Sequence, residues 1–169
     1  LGEASPALDE LSLLVGAKWA FTTRNVRRED VQGLSRNFAE ARPGDLIMAR
    51  TRALGQHKRV QLVSGRNAEN VVGDIVVMVV GDRYAPDQFE GVAEIDPAGC
   101  SVIAGGGIVG RAVAAHASMG KPTALEPIGL LCDRDGAVLN IDAYALPART
   151  IPAETIVIGV FGTSMNSGK

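Results

Sequence analysis

Three short stretches decide the fold prediction: residues 46–54 (LIMARTRAL), 58–65 (KRVQLVSG) and 74–81 (DIVVMVVG). They are rich in Val, Ile and Leu, which suit the half-buried pleated surface of a sheet, and glycine-containing turns separate them. Three successive strands at this spacing predict a small antiparallel barrel or meander, which we place at residues 44–97.

The residues ahead of this region carry a different pattern. Two helices are predicted, over residues 5–16 and 24–40, because apolar side chains recur there every three or four positions. A brief strand over residues 17–23 joins them. Together they form an N-terminal helical segment of residues 1–43.

The residues after the predicted barrel indicate a second unit at 98–146. Residues 99–104 (GCSVIA) are typical of a buried strand, and they run through three glycines into small and apolar residues that predict a helix over 108–119. Residues 125–141 predict a hairpin, because Asp135-Gly136 supplies the turn at its tip.

A linker and a new element follow this unit. Residues 147–154 contain two prolines and few large apolar side chains, which predicts a linker. The run TIVIGVF at 155–161 is almost wholly apolar, as expected for a central strand of a parallel sheet. The predicted class is α+β: a small β-barrel or meander, a βα unit and a hairpin, then the first strand and loop of a nucleotide-binding domain at 155–169.

Composition excludes several classes of protein. Apolar residues make up 46% of the 169 residues, charged residues 21%, and the net charge is −2, which excludes a disordered chain and a globally basic nucleic-acid binder. The longest aliphatic run, residues 75–80, is far shorter than the ~20 residues needed to cross a bilayer, and no targeting segment is found. We therefore predict a cytoplasmic protein without membrane partners.

The cysteines and histidines predict no metal site. Cys100 and Cys132 are too far apart for a Cys-x-x-Cys site, and His57 and His116 have no neighbours at ligand spacing. Both cysteines are expected to be small buried residues, and His116 a packed core histidine.

The strongest functional signal follows the apolar run. A phosphate-binding loop needs small residues whose backbone N–H groups point at the anion, a strand before it, and a lysine that reaches the terminal phosphates. Residues 162–169 (GTSMNSGK) meet these needs. The predicted nucleotide-binding residues are Gly162, Thr163, Ser164, Asn166, Ser167, Gly168 and Lys169.

This loop resembles the GTxxxxGK loop of the P-loop family that includes dethiobiotin synthetases and glutamine-dependent cobyrinate amide synthases. Gly162, Thr163, Gly168 and Lys169 fall on its fixed positions, and Ser164 stands where the Min-type and nitrogenase iron-protein ATPases carry a second lysine. Asn166 departs from the pattern, since a glycine is usual there. The order of the parts also resembles that of uncharacterised two-domain P-loop proteins.

The resemblance implies a kinase, ligase or amide-forming synthetase that uses ATP and Mg²⁺ on a small-molecule acceptor. Residues 1–150 would then be an accessory or substrate-specifying domain. Because Leu1 is not an initiator methionine and Lys169 falls within the loop, we expect the chain to be the front part of a longer protein. Without the helix and the Mg²⁺ ligand after the loop, we expect this part alone to be inactive and to bind no cofactor.

A second candidate ligand site lies in the middle of the chain. Residues 105–110 satisfy GxGxxG, typical of a dinucleotide-binding turn when a helix follows, and the alternative is a tight turn that allows close packing. The loop at 82–90 is dense in polar and aromatic groups, and the alternative there is a pinned surface loop. We predict that Arg83, Asp87 and Glu90 face Gly105, Gly106 and Gly107.

A binding module is the alternative function. Residues 50–66 carry five Arg or Lys side chains and no acid, so that a basic barrel face could dock nucleic acid or a protein partner under control of the attached NTPase. The stretch lacks aromatic residues for base stacking, which disfavours nucleic acid. The sequence leaves the oligomeric state and the acceptor open.

Overall fold

The structure, a computed structural model, describes residues 10–163. Within this range the strands are β1 (Lys18–Trp19), β2 (Gly33–Ser35), β3 (Leu46–Ala53), β4 (Arg59–Gln61), β5 (Asn67–Glu69), β6 (Ile75–Val80), β7 (Phe89–Val92), β8 (Cys100–Ala104), β9 (Ile108–Ala115) and β10 (Thr123–Cys132). Short 3-10 helices lie at Leu13–Gly16, Phe21–Thr23, Arg28–Asp30, Phe38–Glu40 and Ile141–Tyr144.

Five strands close a barrel in the order β6, β3, β10, β8 and β9. Neighbours are antiparallel except at the closure, where β9 lies parallel to β6 with Val79 opposite Ile108 and Val80 opposite Val109. Strands β1, β2 and β7 extend this sheet, and β4 and β5 form a separate hairpin. The predicted α+β small-barrel fold is therefore confirmed.

Two of the three runs that predicted the barrel, β3 and β6, are buried on both faces, whereas the run at 58–65 lies outside the barrel as β4 of the hairpin. Alternate side chains of the five barrel strands, such as Ile47, Met78 and Val109, form an inner core cluster. The residues between them, such as Met48 and Val77, pack with Trp19 in an outer cluster that the N-terminal segment covers. Burial on both faces explains why β6 reads IVVMVV instead of alternating apolar and polar residues.

The predicted division at residue 97 does not match the barrel. Strands β3 and β6 come from the segment predicted at 44–97, whereas β8, β9 and β10 come from the segment at 98–146, and the barrel needs all five. The predicted hairpin is present: Asp133 N–H donates to Ala137 O at 2.9 Å, and Gly136 takes a positive φ of 80° in its turn.

The predicted helix over 24–40 is wrong. These residues form two 3-10 helices with β2 between them, and β2 pairs with the end of β10. Val31 and Leu34 pack on the outer cluster, whereas Phe38 packs on the inner one, so their helical spacing does not mark a helix face. Of the helix predicted at 5–16, residues 10–12 are α-helical and Leu13–Gly16 form a 3-10 helix, while residues 5–9 lie outside the described range.

The predicted helix over 108–119 is also wrong, because residues Ile108–Ala115 are β9. Its small residues favour a helix locally, but its first residues close the barrel against β6, and tertiary pairing overrides the weak local preference. Gly110 permits this path, since a Cβ there would lie 2.2 Å from the carbonyl oxygen of Val92.

Candidate functional site

The apolar run at 155–161, ahead of the predicted phosphate-binding loop, is exposed to solvent. Ile156 is 87% exposed, Ile158 84% and Phe161 92%. Residues 155–161 belong to no strand of the described structure, although a buried central strand is predicted there. Gly162 and Thr163 are described and exposed, whereas the predicted binding residues Ser164, Asn166, Ser167, Gly168 and Lys169 lie outside the described residues.

The three glycines at 105–107 form a packed turn between β8 and β9. The carbonyl of Gly105 accepts from Gln61 N–H at 3.1 Å, that of Gly106 from Thr22 N–H at 3.1 Å, and that of Gly107 from Val79 N–H at 2.9 Å. Gly107 has a φ of 102°, and a Cβ there would lie 2.2 Å from the Ala20 side chain. A strand follows, so the helix N-terminus that the dinucleotide interpretation requires is not present, and the tight-turn alternative explains the glycines.

The loop at 82–90 is fastened to the barrel by Arg83. Its guanidinium donates to the carbonyl of Ile103 and, at 2.9 Å, to Gln88 Oε1. Burial lowers the pKa of Arg83, and the nearby charge of Asp87 offsets part of that effect. Phe89 is fully buried whereas Tyr84 is 66% exposed, so the ring of Phe89 anchors the loop and that of Tyr84 does not.

The loop at 82–90 is predicted to face the glycines at 105–107, but the polar contacts of residues 10–163 do not join them. Within the described part of the chain, no hydrogen bond or ion pair joins Arg83, Asp87 or Glu90 to the glycines at 105–107. Arg83 and Glu90 instead line a shallow cavity of about 300 Å³ with Tyr84. The arrangement fits the pinned-loop alternative.

The basic stretch at 50–66 is partly neutralised by carboxylates from elsewhere in the chain. Arg52 donates to Glu126 Oε1 at 2.8 Å, Arg50 Nε lies 3.9 Å from Glu126 Oε2, and Arg59 lies 3.7 Å from Glu69. Sequence alone showed no acid in the stretch, because Glu126 reaches it across the β3–β10 pairing.

His57 is the group that sequence reasoning left without a role. Its ring lies beside Phe89, with the ring centroids 5.6 Å apart, and its carbonyl accepts from Thr123 Oγ1 at 2.7 Å. Burial lowers the pKa of His57, a backbone hydrogen bond at Val102 opposes this, and the charge of Arg83 lowers it further. These neighbours come from β7, β8 and β10, so no local signal could have revealed them.

The lowered pKa of His57 predicts acid sensitivity. The unfolded chain, with a histidine pKa of roughly 6.5, takes up the proton first as pH falls, so this group's contribution to stability is present above that value and is lost as pH falls through the lower folded pKa. Urea unfolding at pH 7.5 and 5.5 should show a larger loss of stability for the wild type than for His57→Gln. A His116→Gln variant, which retains His57, should keep the wild-type loss; equal losses in wild type and His57→Gln would contradict the assignment.

Residues 10–163 show no reactive cysteine, metal-binding cluster or membrane-spanning helix. Burial raises the pKa of Cys100 to about 12, which leaves its thiol protonated and unreactive. Residues 10–163 hold no cluster of three or more His, Cys, Asp or Glu side chains suited to a metal ion. In the same range, no helix has the length and apolar character to cross a membrane.

Comparison with protein-family models, with curated proteins and with solved structures finds no match to this chain. Any function must therefore be argued from the residues and their geometry.

Proposed function

We propose that the barrel is the accessory or substrate-specifying domain of an ATP-dependent P-loop enzyme whose nucleotide-binding domain begins at residue 155. The observation that carries this proposal is the exposed apolar run at 155–161, which leads directly into the sequence GTSMNSGK. The resemblance of that sequence to a P-loop supplies the chemistry.

The apolar side chains of the exposed run would be buried if the run joined a sheet, and the five barrel strands cannot pair with it. Burying one large aliphatic or aromatic side chain stabilises a protein by roughly 1.5–3 kcal/mol, and this run exposes five of them. All five barrel strands already have neighbours on both sides, so within residues 10–163 only the short strands β1, β2 and β7 and the β4–β5 hairpin present a free edge. A separate parallel sheet, covered on both faces, is the environment that such a run fits.

The loop after that strand would then hold the phosphates of ATP. Backbone N–H groups of the small residues would face the anion, and Lys169 would reach the terminal phosphates. Bound Mg²⁺ would supply positive charge that neutralises the charge developing during transfer. By resemblance the acceptor is a small molecule and the reaction that of a kinase, ligase or amide-forming synthetase, in the cytoplasm.

The binding-module alternative is not favoured by the described residues. Glu126 and Glu69 pair with three of the arginines on which a basic face depends. Exposed ion pairs of this kind reduce the positive field that would steer a nucleic acid to the surface. Only Lys58 and Arg66 of that stretch make no ion pair in the described part of the chain.

Calorimetric titration with Mg-ATP tests the proposed function. The parent protein, meaning the proposed longer protein with residues 1–169 and a complete nucleotide-binding domain, should bind Mg-ATP with a dissociation constant in the micromolar range. Lys169→Ala should weaken that binding by at least about 100-fold, since it removes a charged phosphate ligand. The 169-residue chain should bind far more weakly, because the exposed run at 155–161 lacks the sheet that would hold the loop in place, and ordering a loop costs roughly 1–2 kcal/mol per residue.

Two results would contradict the proposal. Tight binding of Mg-ATP to the 169-residue chain that survives Lys169→Ala would move the nucleotide site into the barrel. No binding to the parent protein would remove the P-loop assignment itself.

A further inference from the structure

A groove with an apolar floor lies between the N-terminal segment and strands β3 and β10. It encloses about 510 Å³, within the usual range of small-molecule sites. Phe38, Pro127 and Ile128 supply apolar surface, and Arg36 and Arg50 reach the groove from different elements. A bulge between Pro127 and Gly129 interrupts the β3–β10 ladder at this point.

The two arginines differ in how firmly they are held. Arg36 pairs with Glu10, another lining residue. Arg50 Nε lies 3.9 Å from Glu126 Oε2, whereas the same carboxylate accepts from Arg52 at 2.8 Å. The terminal guanidinium nitrogens of Arg50 make no hydrogen bond with residues 10–163. The guanidinium of Arg50 is therefore largely free to donate two parallel hydrogen bonds to a carboxylate.

We infer that this groove binds a small organic monocarboxylate with an apolar chain, the carboxylate on Arg50 and the chain over Phe38, Pro127 and Ile128. The lining contains two arginines and two glutamates, so its formal charge is zero. That balance disfavours a polyphosphate, which needs an excess of positive charge, whereas the weakly paired Arg50 can still bind one carboxylate. The inference goes beyond the proposed function, because it rests on the groove alone and holds whether or not residues 155–169 bind ATP.

Titration of the 169-residue chain with sodium hexanoate, followed by amide NMR shifts, tests the inference. Hexanoate should shift the signals of groove residues with a dissociation constant on the order of 1 mM, as expected for a ligand of this size. Acetate, which lacks the chain, and hexylammonium, which reverses the charge, should each bind at least about tenfold more weakly.

Three single-residue variants test whether the charge on Arg50 is responsible for binding. Arg50→Gln should weaken hexanoate binding about tenfold, and Glu126→Gln should strengthen it, because the competing carboxylate is removed. Arg59→Gln, on the outlying β4–β5 hairpin, should bind as the wild type does. The opposite directions at positions 50 and 126 keep the test valid if one variant folds poorly.

The inference is overturned if hexanoate and hexylammonium bind equally well, or if the shifted signals lie outside the groove. It is also overturned if well-folded Arg50→Gln and Glu126→Gln variants bind hexanoate with the wild-type affinity.

Discussion

Gly110→Ala should destabilise the protein by about 3 kcal/mol, near the upper end of what overpacking a core costs. A Cβ at this position would lie 2.2 Å from the carbonyl oxygen of Val92 and 3.1 Å from its carbonyl carbon. Both atoms belong to the backbone of β7, so no side chain can rotate away to make room. Gly81 O, at 3.3 Å, blocks retreat toward the closure of the barrel.

The measurement is urea unfolding followed by the fluorescence of Trp19, the single tryptophan of the chain, which is buried in the outer cluster. Gly16→Ala is the matched control, since a Cβ there would meet nothing within 4 Å. We expect the control to change stability by less than about 1 kcal/mol. If Gly110→Ala is as mild as the control, the path assigned to β9 is incorrect.

This variant also decides between a strand and a helix for residues 108–115. In a helix interior, replacing glycine by alanine stabilises by roughly 1 kcal/mol, so the two structures predict opposite signs. The sign of the change therefore tests the correction of the predicted helix directly.

Strands β3 and β6 could be predicted from the sequence because their burial on both faces is visible in the local pattern. β3 and β6 carry apolar side chains toward the inner and the outer cluster, which produced the continuous runs of Val, Ile, Leu and Met. β9 carries alanines and an arginine, and only its first residues are buried. Its identity as a strand depends on pairing with β6, a contact between distant parts of the chain that no window of local sequence contains.

The candidate sites divide in the same way. A phosphate-binding role for the GTSMNSGK loop could be proposed from local sequence, because phosphate binding by backbone N–H groups depends on the spacing of neighbouring residues. The groove at Arg50 could not be predicted, because Phe38 and Ile128 meet it only after β3 and β10 pair. For the same reason, the sequence of the basic stretch at 50–66 could not show that Glu126 partly neutralises it.

Hydrogen exchange at residues 156–161 tests most directly the claim that the exposed run is the first strand of a nucleotide-binding domain. In the 169-residue chain these amides should exchange at nearly the rate of an unstructured peptide, because no backbone hydrogen bond protects them within the described residues. In the parent protein, where a parallel sheet would pair this strand on both sides, exchange should be slower by at least about 100-fold. Equally fast exchange in both proteins would contradict the account.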